Sequence, residues 1–374
     1  MIKAGIISMQ RIANYGSFLQ AYGLKKILEN KSCIVTFVDF RVKKPISISN
    51  FSFFKKRIVT LMFKIISKVR IFDVLLPKGT KHAVKFYRVH QKDLKEYLNI
   101  TKKNYETSVD FLIIGSDEVF NCTQDNANVG YSLDLFGLNS KSNCTFSYAA
   151  SFGNTTYEKI KKYNIENDLG RCLTNLKYIS VRDNNSCEIV KKISGINPLV
   201  HLDPVLIYDF SKEIIDCPLN EGFCIVYAYK NRITEDEKKA IIEFANLHNK
   251  KIVCIGGYQN FGDMCFNGTA FEVLGYFKKA DFVITDTFHG TIMSIINQKK
   301  FATFIRKSSA NEYGNSEKLN DLLLRLGLSD RAVNSPNELE ILFSKDINYD
   351  NVQKIIQIER KRTIDYFDSI FNNS

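Results

Sequence analysis

Signatures for metals and nucleotides are missing from this chain. No HxxxH or HExxH pairing occurs among its five histidines, so a metal site is not expected. No GxGxxG follows the first apolar run and no GxxxxGK[ST] is present, which removes the dinucleotide fingerprint and the P-loop. The nine cysteines are an odd number without a CxxC pair, and they read as reduced thiols rather than a disulfide framework or a zinc site. Apolar runs fall far short of the roughly 18 residues a spanning helix needs; the most promising, Ile58 to Phe63, is closed by Lys64. Residues Met1 to Ser8 run straight into polar sequence with no charged leader or cleavage site, so no export signal is expected. The sequons headed by Asn99, Asn121, Asn143, Asn154 and Asn267 then read as chance, and the expected location is the cytoplasm.

Acidic residues are scarce in one stretch only. Between Arg41 and Lys103 there are 17 Lys/Arg against Asp73, Asp93 and Glu96, a net charge of +14. The rest of the chain carries 35 basic and 37 acidic residues, so the formal +12 belongs to one segment rather than to the fold. Within it, Phe54, Ile58, Leu61, Met62, Ile65, Val69 and Phe72 recur at helical spacing, with Arg57, Lys64 and Lys68 expected on the opposite side. Such a helix either lies on an anionic membrane surface or packs on the neighbouring lobe with its lysines in water. Nothing matches a nucleic-acid reader module, and no nucleic-acid partner is expected.

What is present is an alternating α/β pattern over 374 residues, with 45% hydrophobic and 25% charged. That length predicts two domains. Apolar runs rich in β-branched residues mark strands at Lys3–Ser8, Cys33–Phe40, Asp110–Ser116, Cys144–Phe152, Tyr178–Asp183 and Pro198–Asp203. A second series follows at Phe223–Lys230, Lys251–Gly256, Asp281–Thr287 and Lys299–Ile305, with polar Tyr208–Gly222 as the linker. Alternation with helical patterns predicts parallel sheets, whose ligands bind beyond the carboxyl ends of the strands.

Those ends supply the candidate site. The run Thr285-Asp286-Thr287-Phe288-His289-Gly290-Thr291 passes from a strand into a helix and places His289 and free backbone N–H groups at a helix start, suited to phosphate or carboxylate. Histidine also donates a proton near neutral pH. The competing account is that Asp286 and Thr287 only cap the helix. Arg182 ends an apolar strand, where its guanidinium either grips an anion in two-pronged fashion or pairs with Asp183 or Asp203. Arg306 and Lys307 end the last strand and are placed to close over the same anion. Asn14, Tyr15 and Gly16 open the first helix, and Asp117 and Asn121 lie on a polar loop; capping competes with ligand binding at both. His82, His90 and His248 are expected at the surface, and His201 in the core.

Taken in order, these strand ends resemble the polysaccharide pyruvyl transferase family. The matching stretches are Arg11 to Tyr22, Asp110 to Asn121, Tyr148 to Gly153, Ile179 to Asp183, Leu202-Asp203-Pro204 and, most tellingly, Asp281 to Thr291. Asn315-Ser316 and Leu326 to Arg331 resemble the family's tail. Phe120 departs from the pattern, which commonly has Trp there, and so alters a face expected to stack on a sugar.

The resemblance implies an α/β fold of the GT-B kind: two Rossmann-type lobes with parallel sheets facing across a cleft. It implies an N-terminal lobe over 1–209 on the acceptor side, carrying a basic helical insertion at about 45–103. A donor lobe over 221–345 and a C-terminal helix over 350–374 crossing back to the first lobe complete it. The implied reaction takes the pyruvyl group of phosphoenolpyruvate, with no further cofactor, to two hydroxyls of a glycan or lipid-linked oligosaccharide, forming a cyclic ketal. Donor-binding residues implied by position are Arg182, His289 and Lys307, with Arg306 and Gly290 beside them. His289 is the expected acid or partner of the departing phosphate, and Asp117 or Asp286 the expected base. Asn14, Tyr15, Ser116, Asp117, Phe120, Asn121 and Ser151 are expected to meet the acceptor. Two alternatives remain: a glycosyltransferase of the same architecture using a nucleotide-sugar, and a non-catalytic scaffold of a glycan-assembly complex.

Overall fold

In the computed structural model the described residues are 1–306, 314 and 316–372, the side chains of 71 and 72 excepted. Lys307 lies outside them. The first sheet holds β1 (Lys3–Ile7), β2 (Ile34–Phe37), β3 (Phe111–Asp117), β4 (Cys144–Ala150), β5 (Ser180–Val181) and β6 (Leu199–Val200). The second holds β7 (Phe223–Ala228), β8 (Lys251–Gly256), β9 (Met264–Phe266), β10 (Phe282–Thr285), β11 (Lys300–Phe304) and β12 (Ala332–Val333). Strands β3 and β7 are buried along their whole length, as parallel strands covered on both faces must be. Strands β5 and β6 are shorter than their apolar runs, because Arg182 and Asp183 already leave the sheet and Asp183 caps the next helix. Strands β9 and β12, of three and two residues, carry too little pattern to be read in the sequence.

Helices α1 (Tyr15–Glu29), α2 (Asn50–Lys68), α3 (Lys78–Leu98), α4 (Tyr157–Lys162), α5 (Glu166–Thr174), α6 (Asn184–Ser194) and α7 (Pro204–Ile207) accompany the first sheet. The second is accompanied by α8 (Glu235–Leu247), α9 (Ala270–Lys279), α10 (Phe288–Ile296), α11 (Ser316–Arg325) and α12 (Leu339–Phe343). Helix α13 (Tyr349–Asn372) ends the chain against the first sheet, where Phe367 packs on Tyr148 with ring centroids 4.9 Å apart and Tyr366 Oη donates to Ser147 O at 2.8 Å. None of the described helices is long and apolar enough to cross a membrane.

Strand order decides where a ligand sits. Both sheets are parallel, with orders β2-β1-β3-β4-β5-β6 and β12-β11-β10-β7-β8-β9. The direction of winding reverses between β1 and β3 in the first and between β7 and β10 in the second. A crevice opens beyond the carboxyl ends of the strands at such a reversal. The turns that matter therefore follow β1, β3, β7 and β10.

Candidate functional site

Those four turns line one cleft of about 390 Å³ between the lobes. Asn14 comes from the turn after β1; Asp117, Glu118 and Asn121 come from β3 and the turn after it. Tyr229 and Arg232 follow β7, and Asp286 to His289 follow β10. Arg182 and Lys318 complete its charged wall.

The turn after β10 is held by threonines. Thr285 Oγ1 donates to Tyr227 O at 2.7 Å and accepts from Thr287 N at 3.1 Å, while Thr287 Oγ1 caps α10 by accepting from Gly290 N at 2.9 Å. The N–H of Gly290 is thus spent on the cap. A Cβ at this position would stand 2.2 Å from Thr285 Oγ1, so glycine is required by the threonines rather than by a ligand. His289 lies buried in the first turn of α10, with Nε2 3.6 Å from Asp203 Oδ2, a charge contact too long for a hydrogen bond. The ring rests on the start of α1: a Cβ on Gly16 would meet His289 Cγ at 2.1 Å. The close approach that Gly16 permits is therefore made by His289, across the lobes.

Arg182 is almost fully buried and donates from Nη1 to Asp203 Oδ2 at 2.7 Å, with Asp117 Oδ1 at 3.6 Å. Its guanidinium lies 4.2 Å over the Phe288 ring, next to His289. Asp203 thus touches both expected cations, one from each lobe. Its burial favours the neutral acid, but His289 and then Arg182 outweigh that and hold the carboxyl down at about 2. Burial penalises the Arg182 charge too, yet Asp203, Asp117 and Asp183 together raise its pKa.

Asp117 has φ of 75° and accepts from Ser17 Oγ at 2.8 Å, which fixes it at the floor of the cleft. Asp286 is fully buried, 2.8 Å from Arg232 Nε and 3.5 Å from Arg306 Nε. Its burial raises its pKa against those two charges. Arg306 is itself bound to Glu237 and lies behind Asp286 rather than on the cleft wall. Lys318 pairs with Glu118 at 2.6 Å. Although the cations are matched by carboxylates, some donors are not used up. Arg182 Nε, Arg232 Nη2 and His289 Nε2 are buried without a hydrogen-bond partner among the described residues. Buried donors left so are costly, and an anion or water in the cleft would satisfy them.

Several expected acceptor contacts do not reach the cleft. Phe120 is fully buried and stacks on Phe136 at 4.6 Å, so it offers no face to a sugar. Ser116 is fully buried and donates to Ala149 O at 3.0 Å, with Asp203 Oδ2 at 3.5 Å, and Ser151 donates to Asp183 Oδ2 at 2.5 Å. Tyr15 turns into the seam between the lobes, its hydroxyl donating to Gly268 O at 3.1 Å and its ring 4.7 Å from Phe86. Asn14 and Asn121 do line the cleft; Asn14 caps α1 through Oδ1 and donates from Nδ2 to the Tyr229 hydroxyl across the lobes. Tyr229, Arg232, Phe288 and Lys318 were not singled out from the sequence. The first two sit just past β7, where the strand-end rule points once the strand is known to stop at Ala228. Of the histidines, His90 is buried rather than exposed, and His201 packs in the core 4.8 Å from Tyr366.

Beside the cleft, α2 and α3 roof a second cavity of about 730 Å³ that shares Met9, Ile12 and Asn126 with it. Arg11, Arg57, Lys64 and Lys103 gather there with Tyr87 and Tyr105.

Residues 14–308 match the model of a family described as polysaccharide pyruvyl transferase. No curated protein matches the sequence. Among solved structures, one described as a UDP-N-acetylglucosamine 2-epimerase from Listeria monocytogenes has a TM-score of 0.51 at 11% identity, over 100% of this chain and 97% of that one. The MnaA–UDP structure from S. aureus has 0.47 at 11%, over 96% and 87%. At such identity the likeness is one of fold, the GT-B arrangement of two α/β lobes facing across a cleft.

Proposed function

Because the chain belongs to the polysaccharide pyruvyl transferase family, we propose that it moves the pyruvyl group of phosphoenolpyruvate onto two hydroxyls of a surface-polysaccharide sugar or its lipid-linked precursor. The observation that carries this reading is the set of unpartnered buried donors, Arg182 Nε, Arg232 Nη2 and His289 Nε2, around one cleft. Phosphoenolpyruvate bears its phosphate and its carboxylate on the same carbon, C2, so it needs cations from more than one direction. Each charge-assisted bond contributes about 1.5–3 kcal/mol.

The reaction requires a proton at C3 of the enol, which leaves C2 electrophilic. One sugar hydroxyl adds to C2, the second displaces phosphate, and a cyclic ketal and inorganic phosphate result. Of the two hydroxyl protons released, one balances that taken up at C3 and the other leaves with phosphate. His289 supplies a proton, held against the start of α1 with Asp203 beside it. Asp117, at the cleft floor, takes the hydroxyl proton; Asp286, enclosed by Arg232 and Arg306, positions Arg232. The acceptor is bound by Asn14 and Asn121 and extends into the adjoining basic cavity.

The test is phosphate release from phosphoenolpyruvate with a glycan acceptor, followed by the mass of the glycan. Phosphoenolpyruvate should raise the melting temperature and nucleotide-sugars should not. His289→Ala should lower turnover by about 10²- to 10⁴-fold with unchanged folding. Stabilisation by a nucleotide-sugar alone, or full turnover in that variant, sinks the reading.

A further inference from the structure

We propose that α2 is a docking surface for an anionic lipid bilayer. On this helix Phe51, Phe54, Ile58, Leu61, Met62, Ile65 and Val69 fall within roughly 100° of arc, the width of an apolar face that normally turns inward. Here it turns outward, with Phe54 66% and Leu61 59% exposed. The reading in which this face packs on the lobe is therefore excluded. Val74 and Leu75, just beyond the helix, are also exposed. Single apolar side chains at a surface are ordinary, whereas a contiguous face of this kind marks an interaction site.

The helix is held in this orientation from its other side. Phe63 packs on Tyr87 of α3 with centroids 5.6 Å apart, Arg88 Nε donates to Ser67 O at 2.6 Å, and Lys56 pairs with Asp125 at 2.7 Å. The outward face is thus a fixed feature of the fold.

Charge selects the occupant. Helix α2 carries Lys55, Lys56, Arg57, Lys64 and Lys68 and no acid. At 100° per residue, Lys68 flanks one edge of the apolar face and Lys55 the other, while Arg57 and Lys64 lie further round and line the adjoining basic cavity. Of the three acids in the whole Arg41–Lys103 segment, Asp73 is bound to Arg88 and Asp93 is buried. A second copy of this chain would bring like charges together, whereas an anionic headgroup layer over an acyl region complements both features. This inference does not rest on the pyruvyl chemistry.

The test is flotation of the full chain with phosphatidylcholine vesicles, with and without phosphatidylglycerol, alongside light scattering without lipid. The chain should bind the anionic vesicles and lose affinity as salt rises. Phe54→Glu with Leu61→Glu should weaken binding by about tenfold or more, and removing Lys68 by roughly fivefold. These side chains are exposed, so an unchanged melting temperature verifies folding. Equal binding to neutral vesicles, or wild-type binding by the double variant, overturns the proposal. So does a wild-type dimer that the double variant converts to monomer without any vesicle binding.

Discussion

At Gly16 a single missing methyl group lets the two lobes meet. The imidazole of His289 occupies the space a Cβ would need, and its contacts at 2.1 and 2.2 Å fall on ring atoms rather than on a flexible tip. Gly16→Ala must therefore push the ring off its seat or part the lobes locally. Overpacking of this kind typically costs about 1–3 kcal/mol. The larger effect is expected on turnover, because His289 would leave both Asp203 and the cleft. Gly16→Ala should approach His289→Ala in activity while melting only modestly lower. Turnover within twofold of the parent would show that the imidazole does no chemistry where it sits. Asp203 explains why the seat is specific: a carboxyl held near 2 and touching Arg182 and His289 fixes both cations relative to each other.

Among the elements, α3 carries a charge in the wrong place. Asp93 is buried where α3 meets α9 and accepts from Ala270 N at 3.1 Å. Burial, aided by Glu96 and Glu272, pushes its carboxyl up to about 7 against the Ala270 amide and Lys92. The folded chain then keeps this proton over a range in which the unfolded chain, with an ordinary value of 3.8, has released it. Stability falls as pH rises from about 4 to 7, by at most about 4 kcal/mol, and the penalty is complete above that. Asp93→Asn keeps the acceptor for Ala270 and removes the charge. It should be more stable than the parent in denaturant titrations at pH 8, with the gain gone near pH 4. A variant less stable at pH 8 would mean that the Ala270 contact needs the charged form. Long apolar runs such as Phe111–Asp117 and Phe223–Ala228 declared both sheets, since burial on two faces leaves no other pattern. The turn carrying His289 was legible because an abrupt Thr-Asp-Thr-Phe-His-Gly follows a buried strand. Which neighbours face the cleft was not. The backbone turns at Asp117, whose φ is 75°, so its carboxylate lines the cleft while the Ser116 hydroxyl is taken up by Ala149 O. Lys318 and Arg232 reach the cleft only through the facing of the lobes, which no local pattern encodes.

At the scale of the whole molecule, the seam between the lobes is aromatic. Phe271, in α9 of the second lobe, is buried with ring centroids 5.8 Å from Phe18, 5.0 Å from Tyr22 and 4.8 Å from Tyr97, all from the first. One continuous apolar core runs through this seam, from Ile6 and Phe111 through Phe271 to Phe223 and Phe367. Relative motion of domains is expected by default where an interface is small and polar, and a large apolar one removes that freedom. The cleft geometry is then preorganised, and the two switch-point crevices stay opposed without a ligand to hold them. It follows that the lobes should melt together, in a single calorimetric transition. Phe271→Ala removes the ring on which three others converge, at a cost of about 3–5 kcal/mol. Since the lost contacts are those between lobes, the variant should also broaden or split the transition. Weakened phosphoenolpyruvate-induced stabilisation should accompany this, as Arg182 and His289 lose their fixed relation. Two well-separated transitions in the parent chain, or a variant that melts like it, would show that the lobes are coupled elsewhere, for which α13 and its Tyr366–Ser147 bond would be the first place to look.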